Sequence, residues 1–217
     1  MRPITVVVVS TNALIRNGIQ QVVMKSDIPI EVAAVCATFR EAYEFLDQRR
    51  AQVIIIDYSL PRSTNLAQEV KKLRTRQANL AVLMIAQRPT ATLLRLLREH
   101  GVRGMLHKDD DLERGLLSAI PMIADGGLSV SPRISRLLDV QRQLPDELQQ
   151  RDVDVLQLTA DGFQVKEISS HLGLASKTIY RTLQMLREVY DAHSNAQLID
   201  IAHQKKLLGM EDEDDQA

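Results

Sequence analysis

Two groups of side chains have residue types and spacing that could do chemistry or recognition. Asp57 closes the run Ile54-Ile55-Ile56 and stands just before Leu60-Pro61, while Lys108 follows Leu106-His107. An acid and an amine at the ends of strands form either a phosphoacceptor with a charge-stabilising partner or a turn-forming Asp beside a solvated Lys, and spacing alone favours the second. The other group lies in Val165 to Tyr190, which reads as a helix, a tight turn at Gly173-Leu174 and a second helix from Ser176. Apolar Ile168 and Leu172 can meet Ile179, Leu183 and Leu186, which turns Lys177, Tyr180, Arg181, Gln184 and Arg187 outward. The DNA major groove admits a helix, and Arg, Lys and Gln supply the hydrogen bonds that base edges and phosphates require. The same spacing also suits a small packing module with a solvated face. Catalysis has little to work with: the five His are scattered, and no Gly-rich phosphate loop or metal-ligand cluster stands out. An enzyme is not expected.

The elements that must position these groups differ between the two ends of the chain. Ile4 to Val9, Val32 to Val35, Val53 to Ile56, Leu80 to Ile85 and Gly104 to Leu106 are continuous apolar runs of strand length. Between and after them, Leu14 to Met24, Phe39 to Arg50, Leu66 to Arg76, Thr90 to His100 and Leu112 to Ala124 carry apolar residues at helical spacing. Thr38 followed by Glu41 is a capping-box pattern. Strands without alternation, separated by helices, imply a five-stranded, doubly wound parallel sheet covered on both faces. Asp57 and Lys108 then fall at the carboxyl edge of that sheet, with Ser10, Thr11, Ala86 and Gln87, where open α/β sheets bind ligands. Pro121 should kink the fifth helix or end it early. The domain limits follow as 1–124 for the α/β domain, 125–147 for a partly helical linker, 148–208 for a small all-α domain of four amphipathic segments, and 209–217 for an acidic tail expected to be solvated and disordered.

Composition limits the partners. The 217 residues are 45% hydrophobic and 25% charged, which suits a soluble globular protein. Cys36 is the single cysteine, so neither an intramolecular disulfide nor a Cys-based metal site is available. The first apolar run is too short for a signal or a membrane span, so a cytoplasmic protein without a membrane partner is expected. Three Phe, four Tyr and no Trp argue against stacking platforms for single-stranded nucleic acid. The net charge of -1 gives no global sign of a nucleic-acid partner. It hides an uneven distribution, with 17 basic and 12 acidic residues over 1–121, seven of each over 148–208, and five consecutive acids at 211–215.

Residues 148–208 resemble the LuxR-type helix-turn-helix domain. The resemblance is carried by Arg151-Asp152 with Val155-Leu156, Asp161-Gly162-Phe163, Lys166-Glu167-Ile168, Leu172, Lys177-Thr178-Ile179, Leu183 and Asn195-Ala196-Gln197-Leu198. It implies double-stranded DNA as partner, with Tyr180, Arg181 and Gln184 at base-reading positions. Lys166, Lys177 and Arg187 fall on phosphates, and Thr178 lies within the contacting segment. Three positions depart from the pattern: Tyr180 replaces a common Lys, Thr182 a common His, and Ala175 the usual capping Ser, with Ser176 able to cap one residue later. A neutral domain has little electrostatic background affinity, so DNA binding is expected to be weak per monomer and to need dimerisation or cooperation between sites.

Over nearly its full length the chain is similar to response regulators of the NarL/FixJ class, a receiver followed by a LuxR-type domain. Val6 to Ile19, Asp57-Tyr58-Ser59-Leu60-Pro61, and Gly101-Val102-Arg103-Gly104 through Lys108 match the first strand and helix, the phosphoacceptor segment and the fifth strand. The resemblance implies that Asp57 would accept phosphate with Mg²⁺ held by two further acids, but those positions are Ser10 and Thr11. The switch hydroxyl aligns with Ala86 and the switch aromatic with Met105. One carboxylate and two hydroxyls make a poor site for a hard divalent cation, so Mg²⁺ binding and control by aspartyl phosphorylation are not expected. Asp57 would instead pair with Lys108 or with Arg88, and the input would be a protein or small-ligand effector at the receiver, or none. Two alternatives stay open: a phosphorylation-dependent regulator, and a protein-interaction regulator whose C-terminal domain no longer binds DNA.

Overall fold

The computed structural model describes residues 2–58, 64–87, 89–139, 148–205 and 207–208. They cluster into two compact units, one built chiefly from residues up to 139 and one from residues 148 onward. In chain order the first contains β1 (Ile4–Val9), α1 (Ala13–Met24), β2 (Ile30–Cys36), α2 (Phe39–Gln48), β3 (Val53–Asp57), α3 (Leu66–Arg76), β4 (Ala81–Ala86), α4 (Ala91–Glu99), β5 (Val102–His107), α5 (Leu112–Ala124), β6 (Ser129–Val130) and α6 (Pro132–Asp139). The strands form one parallel sheet in the order β2-β1-β3-β4-β5-β6. Every residue of β3 and β4 is buried, because both faces of the sheet are covered, which is why these strands read as unbroken apolar runs. On one face Val6, Val8, Ile55, Leu83 and Ile85 pack with Ile19 and Val23 of α1 and with Leu116, Ile120 and Ile123 of α5.

Local chemistry fixes the helix starts. Asn12 Oδ1 accepts the Leu14 N–H at 2.9 Å, capping α1. At α2, Thr38 Oγ1 accepts from the Glu41 N–H, and Glu41 reaches back to the Ala37 N–H at 2.9 Å. The chain departs from expectation at the far edge of the sheet. The sheet has six strands rather than five, because Ser129–Val130, two residues too short to show a period, pair with β5. Part of the stretch read as a linker is thus built into this unit, and α6 follows with Arg133 held by Asp110 at 3.5 Å. Pro121 does not end α5 early. The helix continues to Ala124 and closes in a Schellman turn, with Gly126 at φ 90° and the Gly127 N–H donating to the Met122 carbonyl.

The second unit comprises α7 (Gln150–Ala160), α8 (Val165–Leu172), α9 (Ser176–Val189) and α10 (Asn195–Gln204), the four helices expected. Its core has two parts joined by α9. Val155, Leu158, Ile168, Leu172, Ile179 and Leu183 form one, and Leu148, Leu156, Leu186, Ala192, Leu198 and Leu208 the other. Gly173, at φ 66°, ends α8 in the left-handed region and makes the tight turn into α9; a side chain with a Cβ would be strained there. Among the described residues no helix is long and apolar enough to cross a membrane. The acidic tail at 209–217 lies outside the described residues.

Candidate functional site

The register of the sheet brings the first group together. Val9 pairs with Ile56, Asp57 with Ile85, and Ala86 with His107, so Ser10, Asp57 and Lys108 emerge side by side at the carboxyl edge. The topology reverses direction between β1 and β3, which is where an open parallel sheet leaves a crevice. Ser10 and Asp57 are both fully buried. The Ser10 hydroxyl donates to Asp57 Oδ2 at 2.7 Å, and Lys108 Nζ lies 2.9 Å from Asp57 Oδ1. Asp57 is therefore not a turn residue beside a solvated Lys: Lys108 is mostly buried and paired with it.

Both carboxylate oxygens of Asp57 are engaged. A divalent cation would need to displace the ammonium or the hydroxyl, and among the described residues no group of three or more His, Cys, Asp or Glu could hold a metal ion. Ala86 is buried at the end of β4 and offers only its carbonyl, which accepts the Lys108 N–H at 2.8 Å. Met105 is buried within β5 between Met84 and Val130. Thr11 is exposed beside the pocket, and Arg88 lies outside the described residues. Sequence reasoning missed Arg16, whose guanidinium donates to the Ser10 carbonyl from the first turns of α1. It also missed Ser131, whose hydroxyl accepts the His107 N–H at 3.0 Å beside Lys108. Neither carries a motif, since each acts through a backbone group whose position only the fold supplies.

The second group lies along α9. Ile179, Thr182, Leu183 and Leu186 are buried, and that inward stripe sets the rotation of the helix. Lys177, Tyr180, Arg181 and Gln184 are exposed, as is Lys166 on α8, while Thr178 is half-buried. Two of the predicted contacts are modified. Arg187 is half-buried and donates to Asn195 Oδ1 at 2.8 Å, so α10 holds it in place. The Gln184 amide donates to Glu188 at 3.0 Å, which adds an acid to the outer face. Ser176 does not cap α9: the N-cap position is Ala175, with no side-chain hydrogen bond. Thr182 is explained by the Asp152 carboxylate, to which its hydroxyl donates at 3.4 Å inside the fold. On α8, His171 is buried edge-on to Phe163, and burial lowers its pKa to about 4, so the imidazole stays neutral.

Comparison with known proteins places both units. Residues 6–120 match the response regulator receiver domain, and residues 146–202 match the bacterial regulatory proteins of the luxR family. The chain is 30% identical to the transcriptional regulatory protein UhpA of Escherichia coli strain K12, over 82% of this chain and 86% of the relative. It is 27% identical to the transcriptional regulatory protein DesR of Bacillus subtilis, over 81% and 85%. Among solved structures it is similar to the RcsB response regulator of Salmonella typhimurium, with a TM-score of 0.67 at 19% identity, covering 94% of this chain and 98% of that one.

Proposed function

The chain belongs to the response regulators that carry a receiver domain followed by a luxR-family domain, and from that premise we propose that it binds DNA as a dimer without control by aspartyl phosphorylation. That it is a DNA-binding transcriptional regulator of response-regulator type follows from the two domain families and from its relatives, which are transcriptional regulators rather than enzymes. The finer reading is supported by one observation above the others: Ser10 occupies the place of an acid and spends its hydroxyl on Asp57 at 2.7 Å. A Lys facing Asp57 would serve a phosphorylated and an unphosphorylated pocket alike. A hydroxyl in place of a carboxylate serves only the second, because phosphoryl transfer depends on a cation to neutralise the charge on the transferring group. Ala86 has no hydroxyl for a phosphoryl oxygen and Met105 no ring for a switch. A protein or small-ligand effector at the receiver, or a permanently active dimer, takes the place of phosphate.

DNA enters through α9. Tyr180, Arg181 and Gln184 face the bases, and Lys166 and Lys177 the phosphates, with Thr178 beside them. Arg187, tied to Asn195, contacts the backbone only from that fixed position. Dimerisation compensates for the neutral charge of 148–208, and dimers bound to DNA are described for RcsB. The test is a salt-dependent gel shift of the full-length chain on promoter fragments with no phosphodonor present. The wild type is expected to bind, and Arg181→Ala to lose at least tenfold in affinity, about 1.4 kcal/mol. If Arg181→Ala binds like the wild type, the reading face is misassigned. If the wild type binds no DNA at any salt, the protein-interaction alternative replaces this one.

A further inference from the structure

Tyr180 is 63% exposed in the middle of α9, in a chain with four Tyr, three Phe and no Trp. The other tyrosines with described contacts are anchored: Tyr43 donates to Glu69 and stacks with Phe39 and Arg76, and Tyr190 packs on the second core with Lys205 over its ring. Tyr180 makes no hydrogen bond, ion pair or ring contact among the described residues. The helix cannot turn to hide it, because Ile179, Thr182 and Leu183 on either side are buried.

Its neighbours define the surroundings. Lys177 lies one turn before it, Arg181 beside it and Gln184 one turn after, all exposed. Gln184 is engaged by Glu188 and Arg187 by Asn195, so the uncommitted part of the outward row is Lys177, Tyr180 and Arg181, with the ring between two cations.

The major groove offers acceptors at purine N7, guanine O6 and thymine O4, donors at adenine N6 and cytosine N4, and one apolar group, the thymine 5-methyl. A ring laid on polar edges strips their water without replacing its hydrogen bonds. A ring laid on the methyl buries apolar surface on both sides. We infer that Tyr180 determines specificity for thymine through contact of its ring with the 5-methyl group. The inference rests on the proposal that α9 enters the major groove.

The experiment uses the full-length chain and a duplex enriched by it from a randomised library. Each thymine is replaced in turn by deoxyuridine, which keeps base pairing and removes only the methyl. At one thymine or more, the replacement weakens binding about fourfold, the worth of one buried methyl. Tyr180→Phe keeps that discrimination. Tyr180→Ala binds the thymine duplex less tightly and no longer distinguishes it from the deoxyuridine duplex. The inference is overturned if the wild type binds tightly and no replacement matters, if Tyr180→Ala still discriminates, or if Tyr180→Phe loses as much as Tyr180→Ala, which would make the hydroxyl the operative group. If no duplex is enriched, DNA recognition by α9 fails and this inference fails with it.

Discussion

Asp57 is held by two residues of different kinds, and they contribute unequally. The Lys108 ammonium balances a fully buried negative charge, whereas the Ser10 hydroxyl satisfies one oxygen. Removing one member of a buried ion pair leaves the other uncompensated, so Lys108→Met is expected to destabilise the receiver by roughly 3 kcal/mol. Ser10→Ala leaves the charge balanced and is expected to cost roughly 1–2 kcal/mol. Urea unfolding followed by a probe in the first unit separates the two variants, and equal losses would mean that the ion pair is not what stabilises this edge of the sheet. At the same scale Thr182 and Ala175 show two kinds of departure from the luxR-family pattern. Thr182 serves the interior by donating to Asp152, while Ala175 leaves the start of α9 without a side-chain cap.

Among the helices, α8 carries a group whose protonation bears on stability. The His171 pKa is lowered to about 4 by burial, whereas an unfolded histidine titrates near 6.5. Between those values the unfolded chain binds the additional proton, so stability is complete above about pH 6.5 and falls as pH drops toward about 4, by about 3 kcal/mol in all. Thermal unfolding of the wild type and of His171→Leu at about pH 7.5 and about pH 5 checks this: the wild type should lose more stability than the variant on acidification. Equal losses would assign the pH dependence to other groups. Most elements were legible because their signals are local. Apolar runs gave β1 to β5, apolar residues at helical spacing gave α1 to α5 and α7 to α10, the Thr38–Glu41 capping box marked the start of α2, and Gly173 marked the turn into α9. β6 was not legible, since two residues cannot show a period and its pairing with β5 is long-range. α5 runs past Pro121 to Ala124 rather than ending early, because a proline in the last turn removes one hydrogen bond from a helix already fixed by Leu116, Ile120 and Ile123. In the candidate site, residue types gave Asp57, Lys108 and the outward row of α9. The pairings Ser10–Asp57, Arg187–Asn195 and Gln184–Glu188 needed the fold or a choice among rotamers.

At the scale of the whole chain, the net charge of -1 is a sum of unlike parts: about +5 over 1–121, -1 over 122–147, zero over 148–208 and -5 over the acids at 211–215. On the proposed function, affinity for DNA then rests on a few placed cations rather than on a basic field. Replacing Lys177 with Ala is expected to reduce the slope of log K against log salt by about one. Removing residues 209–217 is expected to raise affinity at low salt and to leave it unchanged at high salt, where the tail's charges are screened. Salt titrations of the three proteins measure both effects, and an unchanged slope for Lys177→Ala would take that residue off the phosphate backbone.

The proposed function assigns regulation to the receiver, whose pocket can be tested covalently. Incubation of the full-length chain with a small phosphodonor and Mg²⁺, followed by intact mass measurement, asks whether Asp57 can accept phosphate at all. With Ser10 and Lys108 holding both oxygens, and Ser10 and Thr11 at the two positions where a cation would need acids, the chain is expected to keep its unmodified mass. A gain of one phosphoryl group on most of the protein, lost in Asp57→Asn, would contradict the reading of this receiver as one that works without phosphate.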